Sequence, residues 1–189
     1  MHLLVRDAGG EIVGTCRVRV PDAAQRFNGY RLEGKFDLAM LAVLRERMVE
    51  VTGVRIHPDH RPESVIPRLG SEIARFLIDS GHDYVLASAC VSLADGGHAA
   101  ASLYRGACSR ALSPEDYRVY PRRRLAVEAL RDTLHAPSPP LLKGYLDLGA
   151  WICGEPAWDP DFECADIPVL LPLARMRAVQ ARQFLSRAA

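Results

Sequence analysis

The sequence lacks any apolar run approaching the ~20 residues needed to cross a bilayer. Met1 to Val5 show no charged segment followed by a long apolar one, so no secretory signal is read there. Cysteine is sparse and unpatterned. The five residues, Cys16, Cys90, Cys108, Cys153 and Cys164, are odd in number, and none forms a Cys-x-x-Cys or a His/Cys group with metal spacing. That predicts reduced, mostly buried thiols in a cytoplasmic protein, no metal centre, and no cysteine singled out as a nucleophile. A dominant charge is missing too. Lys+Arg 24 against Asp+Glu 23 gives a formal net charge of +1, which removes the global field that would make nucleic acid an expected partner. What remains is 189 residues, 49% hydrophobic and 25% charged, enough for one domain with a real core and too short to argue for two.

Leu3 to Arg6 and Glu11 to Val20 read as a strand pair joined by the turn residues Asp7-Ala8-Gly9-Gly10. Thr15, Arg17 and Arg19 alternate with Cys16, Val18 and Val20, which gives the second strand one apolar face. A polar loop with Asn28-Gly29 and Gly34 follows. Asp37 then stands where an N-cap belongs, ahead of Leu38, Leu41, Leu44 and Met48 at helical spacing. Glu50 to Ile56 reads as a strand ending at His57-Pro58. Ser64 is the next expected N-cap, with Pro67 in the first turn and Val65, Ile66, Leu69, Ile73, Phe76 and Leu77 on one apolar face. Gly81 stops that helix, and Tyr84 to Val91 reads as a buried strand.

The middle of the chain is thus a βαβ unit with a parallel pair, preceded by an antiparallel hairpin. Beyond it, Ala99 to Leu112 and Leu141 to Leu148 read as helices, with a proline-rich connector at Pro137 to Pro140. Ile167 to Leu173 reads as a strand that Pro168 makes bulged or peripheral, and Arg175 to Leu185 as a closing helix. The fold class is α/β with a mixed sheet.

The junction Val54-Arg55-Ile56-His57-Pro58-Asp59-His60-Arg61 feeds a strand end into a helix start. Unpaired backbone N–H groups and the helix dipole together favour an anion there. Hydrophobic-x-x-x-x-His-Pro-Asp-x-Arg at a strand end resembles the acyl-donor loop of GNAT enzymes. Two further stretches narrow the resemblance. One is Leu141-Leu142-Lys143-Gly144-Tyr145-Leu146 with Gly149-Ala150. The other runs from Cys153-Gly154-Glu155-Pro156-Ala157-Trp158-Asp159-Pro160-Asp161-Phe162 to Cys164-Ala165-Asp166. Together with Gly34-Lys35-Phe36-Asp37-Leu38 and Tyr117-Arg118-Val119-Tyr120-Pro121-Arg122, they are similar to the ornithine-lipid synthases, the L-ornithine N-acyltransferases. The match covers most of the chain from Leu3 onward. Autoinducer synthases resemble the same architecture more distantly.

The resemblance implies a GNAT-like mixed sheet, without the strand and helices that relatives carry upstream. It also implies departures. Relatives read Glu-x-Gly-Arg where this chain has Glu50-Val51-Thr52-Gly53, and a glycine where Glu63 follows Pro62. The implied reaction moves a 3-hydroxyacyl group from acyl-phosphopantetheine, on acyl carrier protein or coenzyme A, to the α-amine of ornithine. Glu50 would be the general base, or else a carboxylate that caps the strand or pairs with an arginine. Backbone N–H groups near Val54, Arg55 and Ile56 would polarise the thioester, and Arg61, Ser64 and Val65 would hold the phosphate. His57, before a proline, reads as structural and His60 as solvent-facing.

Glu155, Asp159, Asp161, Glu163 and Asp166, with Trp158 and Phe162, form an acidic rim suited to a cationic amino acid. The alternative is a loop whose aspartates cap turns. Arg118, Arg122, Arg123 and Arg124 beside Tyr117 and Tyr120 form a basic patch suited to acidic acyl carrier protein, or else a solvated face. Arg175, Arg177, Arg182 and Arg187 around Met176, Val179, Phe184 and Leu185 would suit peripheral contact with the inner membrane face, or packing on the sheet. Two other readings stay open: a different acceptor such as glycine, lysine or glutamine, and a non-catalytic GNAT-like fold that binds acyl carrier protein or lipid.

Overall fold

The computed structural model describes residues 1–22, 29–132, 136–176 and 178. The hairpin forms as the turn residues require: β1 (His2–Arg6) and β2 (Ile12–Arg19) pair antiparallel, with Asp7 Oδ1 accepting the Glu11 N–H at 2.9 Å. β3 (Phe36–Asp37) follows; the expected cap at Asp37 is corrected to Leu38, while Asp37 Oδ1 accepts the Ala39 N–H from one residue further back. The segment it opens, Ala39–Arg47, is a 3-10 helix and not an α-helix. Its buried stripe, Leu38, Leu41 and Leu44, recurs every three residues, which suits the three-residue turn.

β4 (Met48–Ile56) leads through residues 57–60 into α1 (Pro62–Ser80). The expected cap at Ser64 is corrected to Arg61. A residue before proline is pushed to extended backbone, and Arg61 adopts φ −73°, ψ 128°, while Pro62 takes the first helical position. Ser64 Oγ instead donates back to the Arg61 carbonyl at 2.8 Å, and Pro67 falls in the second turn. Gly81, at φ 72°, ends the helix as expected. β5 (Tyr84–Ser92), α2 (His98–Ala111), β6 (Tyr120–Pro121) and α3 (Pro140–Asp147) follow. After them come β7 (Trp151–Ile152), β8 (Ala157–Asp159) and β9 (Cys164–Pro172).

The main sheet has the order β1-β2-β4-β5-β9-β7, with β8 also on β9, and β3 pairs β6 separately. Among the described strands β4 and β5 form the parallel pair, as the βαβ reading requires. The expectation of an edge position for the Pro168 strand is corrected, because β9 is fully buried and paired on both sides. Proline is tolerated because the Pro168 carbonyl accepts the Cys153 N–H at 3.1 Å. The ring nitrogen therefore faces the same side, the gap between β7 and β8, where no ladder bond is lost. Of the closing helix, 173–176 and 178 are helical; the rest of that expected helix, like Asn28, lies outside the described residues.

The two faces of the sheet differ. One carries Cys16, Val18, Val49, Val51, Val85, Ala87, Ala89 and Val91 and packs on α1, α2 and α3. The other carries Met48, Leu86 and Leu170 under Tyr30, Leu32, Phe36 and Leu41. Farther along the strands that second face turns polar, with Glu50, Thr52, Ser88, Cys90 and Asp166.

Candidate functional site

β4 and β5 pair only at Met48↔Tyr84, Val49↔Val85 and Glu50↔Leu86. Beyond that point β4 stays with β2 as far as Ile56, and β5 stays with β9 as far as Ser92. The two central strands therefore splay apart, and their facing edges carry backbone groups that no strand pairs. An extended molecule with amide groups can pair with such edges. The cause lies in β4. Thr15 pairs Arg55 and Arg17 pairs Thr52, so β4 carries one residue more than β2 between these pairs. Gly53, at φ 60°, is the left-handed residue that makes this bulge possible.

Glu50 sits where the splay begins and is 0% exposed. Its Oε1 accepts the Leu32 N–H at 2.8 Å, while Oε2 has no hydrogen-bond partner and lies 3.8 Å from Arg19 Nε. Burial raises its pKa above the ordinary 4.5, against the Leu32 and Arg31 N–H bonds and the Arg19 and Arg31 charges. A buried carboxylate with one free oxygen and a raised pKa is equipped to accept a proton.

The junction residues fall at the far end of the same strand. Val54 packs toward α1, and Arg55 and His57 are exposed. The His57 backbone N–H donates to the Val13 carbonyl and its ring Nδ1 accepts the Asp59 N–H at 3.3 Å; His60, expected to face solvent, is partly buried. Arg61 and Ser64 are exposed at the α1 start, while the Val65 side chain is buried. A Cβ on Gly14 would lie 2.4 Å from Val65 Cγ1, so that glycine lets the first turn of α1 sit against the sheet.

The acidic rim does not come together as one patch. Asp159 and Asp166 are buried, and Lys35 Nζ pairs with both, at 2.6 Å from Asp159 Oδ2. Asp166 also accepts Ser88 Oγ at 2.8 Å, and Asp159 Oδ1 caps the Asp161 and Phe162 N–H groups. Glu155 is elsewhere, paired with Arg124, which also holds Glu128. Asp161 is exposed, as are Trp158 and Phe162. Lys35, quoted only as part of a motif, is the residue whose role the sequence hid, since its partner Asp166 lies 131 positions away.

Asp159, Cys164 and Asp166 place one ligand atom each within 4.8 Å of one another. The Lys35 ammonium already bridges the two carboxylates there, and burial raises the Cys164 thiol pKa. The set is an ion triad beside a protonated thiol. Burial also raises the Cys16 pKa to about 11 and the Cys153 pKa to about 12, and the Cys90 pKa lies above its ordinary value. None is arranged as a nucleophile.

The basic patch is partly committed. Arg118 donates to the Ser113 carbonyl, Arg122 to the Glu33 carbonyl, and Arg124 to Glu155 and Glu128. Arg123 is exposed with no salt bridge among the described residues. No helix among the described residues is long and apolar enough to cross a membrane.

Residues 1–71 match the family model described as an acetyltransferase (GNAT) domain. A protein of Brucella abortus (strain 2308) named L-ornithine N(alpha)-acyltransferase is 27% identical, covering 93% of this chain and 68% of its own length. A protein of the same name from Agrobacterium fabrum is 29% identical, covering 92% of this chain and 64% of its own length. A solved aminoglycoside 6'-N-acetyltransferase complexed with coenzyme A aligns with a TM-score of 0.49 at 13% identity, over 91% of this chain and 72% of that one. The chain is thus similar over residues 1–71 to GNAT acetyltransferase domains and, over more than nine-tenths of its length, to proteins named L-ornithine N(alpha)-acyltransferase, of which it spans about two thirds.

Proposed function

We propose that the protein transfers a 3-hydroxyacyl group from a phosphopantetheine thioester to the α-amine of an amino acid, with ornithine as acceptor. One observation carries the reading: the opening between β4 and β5 has a buried carboxylate with a free oxygen, Glu50 Oε2, where it starts. The homologues' names support the acceptor.

A free α-amine has a pKa of about 7.7–8.0, so a weak base suffices to release its lone pair. Glu50 takes the ammonium proton, directly or through a water, and releases it to solvent. The neutral nitrogen then attacks the thioester carbon, the C–S bond breaks, and the second nitrogen proton passes through Glu50 to the sulfur, which leaves as a thiol. Backbone N–H groups among Val54, Arg55 and Ile56 that face away from β2, as that of Ile56 does next to the β2-bonded His57 N–H, stabilise the oxyanion. The α1 start, with Arg61, Ser64 and the Val65 N–H, holds the phosphate. Acyl carrier protein docks on Arg118, Arg122 and Arg123, the patch residues with no carboxylate partner among the described residues. Trp158 and Asp161 remain available to the acceptor's side chain, and Asp159 and Asp166 act through Lys35 to hold that loop. The product is an N-acyl amino acid, consistent with a place on the inner membrane face.

The test is to incubate the purified protein with 3-hydroxyacyl carrier protein and an amino-acid mixture and to analyse the products by mass spectrometry. N-acyl ornithine is the expected product. Another N-acyl amino acid would keep the chemistry and change the acceptor, and the absence of any N-acyl product would reject the reading.

A further inference from the structure

We infer that the cleft on the sheet face opposite α1 binds the acceptor's carboxylate through Arg17, Arg31 and Arg55; this rests on the acyltransfer reading above. The cleft encloses about 390 Å³ and is lined by these three arginines with His2, Thr52 and Phe162, among others. Strand register builds it. His2, Arg17 and Thr52 form one row across β1, β2 and β4. Thr15 and Arg55 form the row on one side, and Arg19 and Glu50 the row on the other. Arg31 joins them because the next residue, Leu32, donates its N–H to Glu50 Oε1.

The bulge is essential to this set. Strict alternation from Thr52 would bring Val54 onto the cleft face and turn Arg55 toward α1. The extra residue at Gly53 reverses this: Val54 packs in the helix-side core, and Arg55 lines the cleft opposite Thr15. Gly53 therefore does more than open the sheet. It aims a guanidinium.

None of the three arginines is held in a salt bridge among the described residues, although the Arg31 charge reaches Glu50. Arg45, Arg47, Arg75, Arg105 and Arg124 each have a carboxylate within salt-bridge distance. Among the described residues Arg17, Arg31 and Arg55 form no salt bridge, although the chain holds nearly as many acids as bases. Three cations gathered in one concavity beside a buried carboxylate fit a ligand with an anion and an amine close together. A donor phosphate is disfavoured, because the α1 start lies over the other face: Val65 meets Gly14, which points away from Arg17.

Calorimetric titration without any donor tests this independently of turnover. Ornithine, lysine and glycine are each compared with the corresponding α-carboxamide, using wild type and the Arg17→Gln/Arg31→Gln variant; both sites are exposed, and melting curves check the fold. A wild-type preference for a free carboxylate of at least ~10-fold, lost in the variant, is expected for charge-assisted hydrogen bonds. Equal affinity for acid and amide, no binding of any of them, or a preference surviving in the variant overturns the inference. So does a variant whose donor KM rises while acceptor affinity stays unchanged, because that gives the cleft to the donor's phosphate. Acid-selective binding with no N-acyl product would keep the cleft and remove the acyltransfer reading. Wild-type product formation by the variant at an unchanged acceptor KM would do the reverse.

Discussion

Replacing Lys35 with methionine keeps the aliphatic stem and removes a cation shared by Asp159 and Asp166. Both carboxylates are buried, at 7% and 4% exposure, so neither can recover full hydration in the variant. Removing one partner of a fully buried ion pair costs about 3–5 kcal/mol. The Lys35 side chain is 36% exposed, so solvent already screens part of the interaction and the expectation falls to about 2–3 kcal/mol. At ~2–4 °C per kcal/mol for a domain of this size, thermal unfolding should shift down by about 4–12 °C at pH 7. The hydrogen bond from Lys35 is the main cause holding the Asp159 pKa below its ordinary 3.8, with the Lys35 charge helping and burial opposing. A carboxylate with a lowered folded pKa contributes stability above its unfolded pKa and loses it as pH falls through the folded one. The gap between wild type and variant should therefore be full at pH 7 and narrow below pH ~4. Differential scanning calorimetry across that range measures it. Equal melting temperatures at pH 7, or a gap that ignores pH, would refute the reasoning.

Gly14→Ala should cost about 1–3 kcal/mol in chemical denaturation, because its Cβ would lie 2.4 Å from Val65 Cγ1; adding Val65→Ala should restore much of the loss. Glu50→Gln should leave the melting temperature at pH 7 unchanged or higher. The Glu50 folded pKa is raised chiefly by burial, so its stabilising contribution is present below the unfolded pKa and is lost as pH rises through the folded one. The neutral amide escapes that loss, and a lower melting temperature at pH 7 would contradict this. Charge reversal at Arg122 and Arg123 should raise KM for an acyl carrier protein donor several-fold and leave KM for acyl-coenzyme A unchanged. An equal effect on both donors would remove the docking role.

Local patterns were legible in the sequence and long-range pairings were not. The hairpin, the βαβ unit and the Gly81 stop follow from turn residues and periodicity, and each stands where expected. Pro62 carried the true start of α1, yet Ser64 drew the assignment as the more usual capping side chain. The 3-10 turn over Ala39–Arg47 was written in its three-residue stripe, which resembles a helical one over so short a span. Pro168 misled because proline argues against a central strand unless its nitrogen faces a break in the neighbouring pair. That break, between β7 and β8, is a tertiary fact. The same holds at the site. Glu50 was recognisable by resemblance, whereas its free oxygen, the Lys35 triad and the re-aimed Arg55 depend on strand register.

The most direct test of amide formation at the splay is the rate of N-acyl product from Glu50→Gln at saturating donor and acceptor. A base that moves a proton in the transition state contributes ~10²–10⁴-fold, so turnover should fall by about that factor with donor affinity unchanged. Full wild-type turnover by a folded Glu50→Gln protein would contradict the account.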